Sequence, residues 1–199
     1  MPEAGADRTT QHWVGILLAA GKGVRFDPSG TQNKLMQTMP SGDAVAVASA
    51  RVLLSVVPLV MAVVRPGADS LAAALREVGC RVVVCPNADQ GMGASLVFVL
   101  SQVRDASGWV IALADMPYVK TTTVVALIDA LHLDADIAVP IHQGRRGNPV
   151  GFSGRHLPQL LTLGGDHGAR SLLKTYQVTE VAVDDAGILR DIDTLGDLA

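Results

Sequence analysis

Cysteine is scarce in this chain: only Cys80 and Cys85 occur among 199 residues. Two are too few for a disulfide framework or a four-cysteine zinc site. The RVVVC run that ends at Cys85 reads as a strand carrying one buried thiol, and both thiols are expected to be inert. Aromatic residues make up only 4% of the chain, so any core must be built from Val, Leu, Ile and Ala. Charge is sparse too, at 18% with a net value of −3, which leaves no basic face for nucleic acid. No apolar stretch reaches the roughly 18 residues of a membrane span without Pro, Gly or charge. The opening MPEAGADRTTQHW is polar and lacks the apolar centre of a secretory signal. A cytoplasmic, reducing setting is therefore expected. His12, His132, His142 and His156 show no metal-ligand spacing, and CxxC, HxxxH and GxSxG patterns are absent.

What is present is apolar material in quantity. Hydrophobic residues make up 49% of the chain, enough for a sizeable core and an argument against disorder. The length suits one α/β domain, taken here as 13–199 behind a flexible leader at 1–12. Strands are expected over 14–19, 59–64, 82–85, 109–113, 137–139 and, late in the chain, 178–183. Helices are expected over 44–55 with Asp43 as cap, 69–78 and 121–131, and 91–103 reads as a loop entering a helix. Shorter helical patterns cover 156–161 and 169–176. Residues 145–152 read as a loop and short strand, and 191–198 as a closing tail. The strands are apolar throughout rather than alternating, so both faces are expected to be buried. Strands of that kind between helical segments predict a mostly parallel sheet with helices on both sides, and ligands beyond the strand C-terminal ends.

The residues that follow the expected strands carry the candidate chemistry. ILLAAGKGVRFDPSGTQNK, residues 16–34, is an apolar strand that stops at small residues and is followed by Arg25 and Lys34. Small residues allow close backbone approach, loop N–H groups can face an anion, and the two cations suit a polyphosphate. The pattern is neither a P-loop, since Gly23 follows Lys22, nor a dinucleotide fingerprint, since Phe26 holds the third glycine position. A plain glycine-rich turn with solvated cations is the other reading. Asp115, directly after the apolar strand 109–113, stands where a hard cation such as Mg²⁺ is held by carboxylates and substrate phosphates, or where an Asp simply turns the chain. Asp191 and Asp193 can supply a further carboxylate or cap the short terminal helix. The glycines and hydroxyl of 90–95 (QGMGAS) suit either a base or ribose contact or an ordinary helix start. In 164–170 (GGDHGAR), His167 and Arg170 suit either an anionic second substrate or a solvated loop, and Arg145 and Arg146 are open in the same way.

LAAGKGVRF with Lys34, GMGASL, LADMP, GNPVGF, GDHGAR and DIDTLGDL occur in this order between residues 16 and 198. Together they resemble the nucleotidyltransferases that complete the molybdenum cofactor, the MobA-like NTP transferases, and above all the molybdenum cofactor cytidylyltransferases. The resemblance implies a three-layer α/β/α, Rossmann-like nucleotide-binding domain. It implies that Leu18, Ala19, Ala20, Gly21 and Gly23 wrap the nucleotide, with Ala20 near the base. Arg25 and Lys34 would bind phosphates, and Gly93 and Ser95 would help hold base and ribose. Asp115 would bind Mg²⁺ with Asp193 or Asp191. Asn148, in 147–149, and Arg170, in 166–170, would lie towards a pterin. Guanylyl-transferring relatives read LAGG at the first motif, so Ala20 favours cytidine. The sequence departs from the family pattern in three places. The Arg25–Lys34 interval is long, Gly42-Asp43-Ala44-Val45 replaces a Lys-Pro-Leu-like segment, and Asn148 replaces a common His.

The implied reaction is Mg²⁺-dependent transfer of CMP from CTP to a molybdopterin-type substrate, with release of pyrophosphate. A molybdenum hydroxylase or its chaperone would be the recipient. GTP as donor, a sugar phosphate as acceptor, or a non-catalytic nucleotide-binding or cofactor-handover role are the alternatives.

Overall fold

The first strand, β1 (Trp13–Ala19), is buried along nearly its whole length, as expected of an apolar run enclosed on both faces. In this computed structural model, which describes residues 12–23, 26 and 32–198, β1 lies at the centre of an eight-stranded sheet. β2 (Leu59–Val64) and β4 (Gly108–Leu113) flank β1 in parallel, and β3 (Arg81–Val84) adds in parallel beyond β2. On the other side β7 (Val150–Ser153) runs antiparallel to β4 and to β5 (Ile137–His142), so β5 points the same way as β1. β8 (Thr179–Ala182) pairs in parallel with β5. β6 (Arg145–Arg146) folds back on β5 through Gln143 and Gly144, which both have positive φ, at 50° and 76°. Positive φ at both central positions is what a two-residue hairpin turn requires.

Side chains alternate across the strands and feed two apolar layers. Leu17, Val60, Ala62 and Val110 face one, together with buried residues of α1 (Val45–Leu54), α2 (Asp69–Glu77) and α4 (Thr121–His132). Ile16, Met61, Val63, Trp109 and Phe152 face the other, against α3 (Met92–Leu100), α5 (Leu157–Leu160) and α6 (Leu172–Thr175). The result is the expected three-layer α/β/α arrangement around a mostly parallel sheet. The layers are aliphatic; Trp109 and Phe152 are the bulkiest fully buried side chains among the described residues.

Several local expectations are corrected. Asp43 does not cap α1. Ala44 holds the cap position without a side-chain bond, and the Asp43 carboxylate instead meets Arg51 Nε at 3.2 Å. The predicted helix over 169–176 is only α6, preceded by a 3₁₀ stretch over Gly165–Ser171, because Gly165 and Gly168 take φ of 62° and 48°. The expected leader lies outside the described residues apart from His12. His12 N donates to Ser107 Oγ at 2.9 Å, and His12 O accepts from Ser107 N at 2.9 Å. Among the described residues no helix is long and apolar enough to cross a membrane.

Candidate active site

The C-terminal ends of β1, β3 and β4 open onto a cavity of about 490 Å³. That volume is within the range of small-molecule sites. Leu18 at the end of β1, with Ala20, Gly21 and Lys22 from the loop after it, forms one part of its wall. Gly91, Met92 and Ser95, at the start of α3, form another, and Lys34 and Asp115 a third. Ala20 is 8% exposed, so its methyl group is part of the wall rather than of the outer surface. Ala19, the next residue back, points into the core. Gly23, at φ 63°, lies beside the aliphatic chain of Lys34.

Lys34 is delivered by a 3₁₀ turn, Lys34–Met36, that Asn33 caps by accepting from Leu35 N at 3.0 Å. Its ammonium donates to Asp115 Oδ2 at 2.7 Å and to Asp193 Oδ1 at 3.3 Å, with its side chain only 12% exposed. Asp115 follows β4 within two residues, so the sheet fixes its position. Asp193 comes from nearly 80 residues later in the chain, and a backbone bond explains how. Ile192 N donates to Asp115 O at 2.8 Å, while the Ile192 side chain is fully buried. With Ile192 anchored in the core, Asp191 and Asp193 are left on either side of it, beside Asp115. Ligand atoms of Asp115, Asp191 and Asp193 all lie within 4.8 Å of one another.

Three carboxylates around one point are a hard-oxygen donor set, which suits a divalent cation such as Mg²⁺ or Mn²⁺ and not a soft metal. Lys34 shows the same preference, because the cluster already attracts a positive charge. Ser95 Oγ is buried and without a hydrogen-bond partner among the described residues. Such a buried hydroxyl calls for an explanation, and Ser95 stands on the pocket wall.

Other expected site residues fall elsewhere. Gly93 packs against the backbone of Gly164, where a Cβ would approach within about 2.9 Å, so its small size serves helix–loop packing. Asn148 lines a separate small cavity with Ser49, Met116 and Pro149, and its N–H donates to Ile188 O at 3.0 Å. Gly147 lies against Ile188 with no room for a side chain. The GNPV segment thus supports the carboxylate-bearing stretch from below. Arg170 is exposed on the 3₁₀ stretch beside α3. Arg25 lies outside the described residues, as do the side chains of Asp166 and His167.

Sequence reading missed Lys22, Arg65 and Asp89. Asp89 sits on the cavity wall and meets Arg65 Nη2 at 3.0 Å and Lys22 Nζ at 3.4 Å. The three come from loops after β3, β2 and β1, and only the parallel order of those strands brings them together. Asp197 was also missed. Its carboxylate accepts from Thr194 Oγ1, Thr194 N and Asp193 N, and these bonds, the Thr194 hydroxyl first, hold it below the usual carboxylate range.

A small-residue loop, an ammonium and clustered carboxylates suit transfer of a nucleotidyl group. That reaction needs charge positioned and neutralised, and it requires no protein nucleophile. Comparison with known proteins gives the same class: residues 15–181 match the model of the MobA-like NTP transferase domain. The chain belongs to the MobA-like NTP transferase family and is a nucleotidyltransferase. It is similar to the purine catabolism protein PucB of Bacillus subtilis (strain 168), 34% identical over 196 residues that cover 91% of each chain. It is also similar to the crystal structure of Rv0371c from Mycobacterium tuberculosis H37Rv, with a TM-score of 0.80 and 29% identity over 94% of this chain and 96% of that one. A complex of Rv0371c with manganese aligns with a TM-score of 0.76 and 27% identity over the same shares.

Proposed function

We propose that this protein transfers CMP from CTP to molybdenum-bound molybdopterin and releases pyrophosphate. The observation that carries the reading is the meeting of Lys34, Asp115 and Asp193 at the edge of the small-residue pocket. Ala20 in the pocket wall supports cytidine, because the guanylyl-transferring relatives are glycine there. The ordered motifs support a pterin acceptor. PucB, to which the chain is similar, is a purine catabolism protein, which is consistent with a recipient that is a purine-oxidising molybdenum hydroxylase.

In this reading Asp115, Asp191 and Asp193 would hold Mg²⁺. Bound there, the ion would neutralise triphosphate charge and orient the phosphates. The rest belongs to the chain's own residues. The backbone after β1 and the start of α3 hold the nucleoside, with Ser95 on the wall beside it. Lys34 carries its ammonium beside the phosphates. A terminal phosphate oxygen of the pterin attacks the α-phosphorus; the bond to the β-phosphate oxygen breaks, and pyrophosphate leaves with the electron pair. Arg25 is assigned to the phosphates on motif alone.

The test is pyrophosphate release with Mg²⁺ from CTP, GTP, ATP and UTP, each with and without molybdenum-loaded pterin. Release from CTP that requires the pterin is the expected result. Release from GTP alone would replace the base assignment, and release with a sugar phosphate instead of the pterin would replace the acceptor.

A further inference from the structure

Asp193 reaches the carboxylate cluster from a stretch that is neither helix nor strand, so something must fix its direction. Lys34 holds the Asp193 carboxylate itself, and a second side chain holds the backbone on which it is carried. Asp197, in the terminal 3₁₀ turn Leu195–Leu198, turns back along the chain. Its Oδ2 accepts from Asp193 N at 3.1 Å, from Thr194 N at 2.7 Å and from Thr194 Oγ1 at 2.8 Å. Three donors on one oxygen restrict both peptide units that flank Asp193's Cα. Asp197 is in turn tied to the turn after β4 that carries Asp115. Tyr118 Oη donates to Asp197 O at 2.9 Å, and the Arg190 guanidinium lies 4.1 Å from the centre of the Tyr118 ring. Tyr118 stands three residues after Asp115, so the two ends of the carboxylate cluster are connected through Asp197.

We propose that Asp197 is a positioning residue of the carboxylate centre. It aims Asp193 at Asp115 without binding the cation, and so sets the affinity for the divalent ion. This rests on the metal-dependent reading given above. The carboxylate acts here through geometry rather than charge: an oxygen that accepts three hydrogen bonds is what the backbone at 193 and 194 needs, and an amide oxygen can take that part.

Mn²⁺ binding to the full chain without nucleotide or acceptor, measured by electron paramagnetic resonance, separates the possibilities. Asp197→Ala should weaken Mn²⁺ binding about tenfold. Asp197→Asn keeps an acceptor oxygen while losing the charge, and should stay within about twofold of the unmodified protein. Tyr118→Phe, which removes one link and leaves the ring under Arg190, should fall between them and serves if the alanine variant does not fold. The melting temperature of each variant is read alongside. Equal Mn²⁺ affinity in unmodified protein and in Asp197→Ala and Tyr118→Phe would overturn the positioning role while leaving the metal site intact. Equal weakening in Asp197→Asn and Asp197→Ala would also overturn it, assigning the effect to charge. Unmodified protein that binds no Mn²⁺ would overturn the metal-site reading itself, and this inference with it.

Discussion

Lys34 donates to Asp115 and Asp193, so removing its ammonium takes away the cation that these two carboxylates share beside Asp191. The weaker neutralisation of the cluster then favours an ion in place of the ammonium. Lys34→Met is expected to bind Mn²⁺ several-fold more tightly without nucleotide, yet to raise KM for the nucleotide and lower kcat, because the phosphates lose a charge-assisted donor. Titrating Mn²⁺ and measuring steady-state rates on the same variant checks both halves. Unchanged affinity and unchanged rates would remove Lys34 from the site. Cys80 gives a second prediction at this scale. Burial pushes its thiol up to about 11, against a usual 9.0. The raised value keeps the neutral thiol at working pH, so at pH 8 only about one molecule in a thousand carries the reactive thiolate. Alkylation of Cys80 should therefore be slow in the native protein and fast in denaturant. Fast native labelling would contradict the buried placement.

Among the elements, the segment from Asp185 to Leu198 decides whether the site assembles. Asp185 is 2% exposed and accepts from Thr123 Oγ1 at 2.6 Å, Lys120 N at 2.8 Å and Gly187 N at 2.9 Å. It fastens the segment to the start of α4. Asp185→Ala strands those donors in a buried place and should cost about 2–4 kcal/mol, read from chemical denaturation. A cost within experimental error would contradict the anchoring role. Gly187 packs against the carbonyl oxygen of Tyr118 with no space for a Cβ, so Gly187→Ala should displace the segment and weaken Mn²⁺ binding along with stability. This scale also shows what was legible in the sequence. β1, β2 and β4 announce themselves because strands buried on both faces are apolar at every position. Asp115 was legible because it follows such a strand directly. α5 and α6 were overdrawn, since helical spacing over four to eight residues cannot reveal a 3₁₀ start or a glycine at positive φ. Asp185 and Asp197 were silent because their worth lies in partners that are remote or contributed by the backbone.

For the molecule as a whole, the parallel order of β3, β2, β1 and β4 is what converts scattered residues into a pocket. Lys22, Arg65 and Asp89 are separated by more than 20 residues at each step, yet their loops all leave the same sheet edge. A sequence pattern could predict that edge, and it did so for the loop after β1, for Asp115 and for Asp191 and Asp193. It could not tell which of Asp191 and Asp193 joins Asp115, and the structure brings both there. Nor could it separate glycines that approach a ligand from glycines that let two segments pack. Gly93 and Gly147 also pack closely, against Gly164 and Ile188, with no room for a side chain.

The central claim is that this carboxylate cluster and the pocket beside it carry out nucleotidyl transfer. Mg²⁺-dependent pyrophosphate release from CTP in the presence of molybdenum-loaded pterin, compared between the unmodified protein and Asp115→Ala, tests it most directly. The expected result is a fall of at least about a hundredfold, the usual scale for removing a group that stabilises transition-state charge, with melting behaviour close to that of the unmodified protein. Full Mg²⁺-dependent activity in the folded Asp115→Ala variant would contradict it.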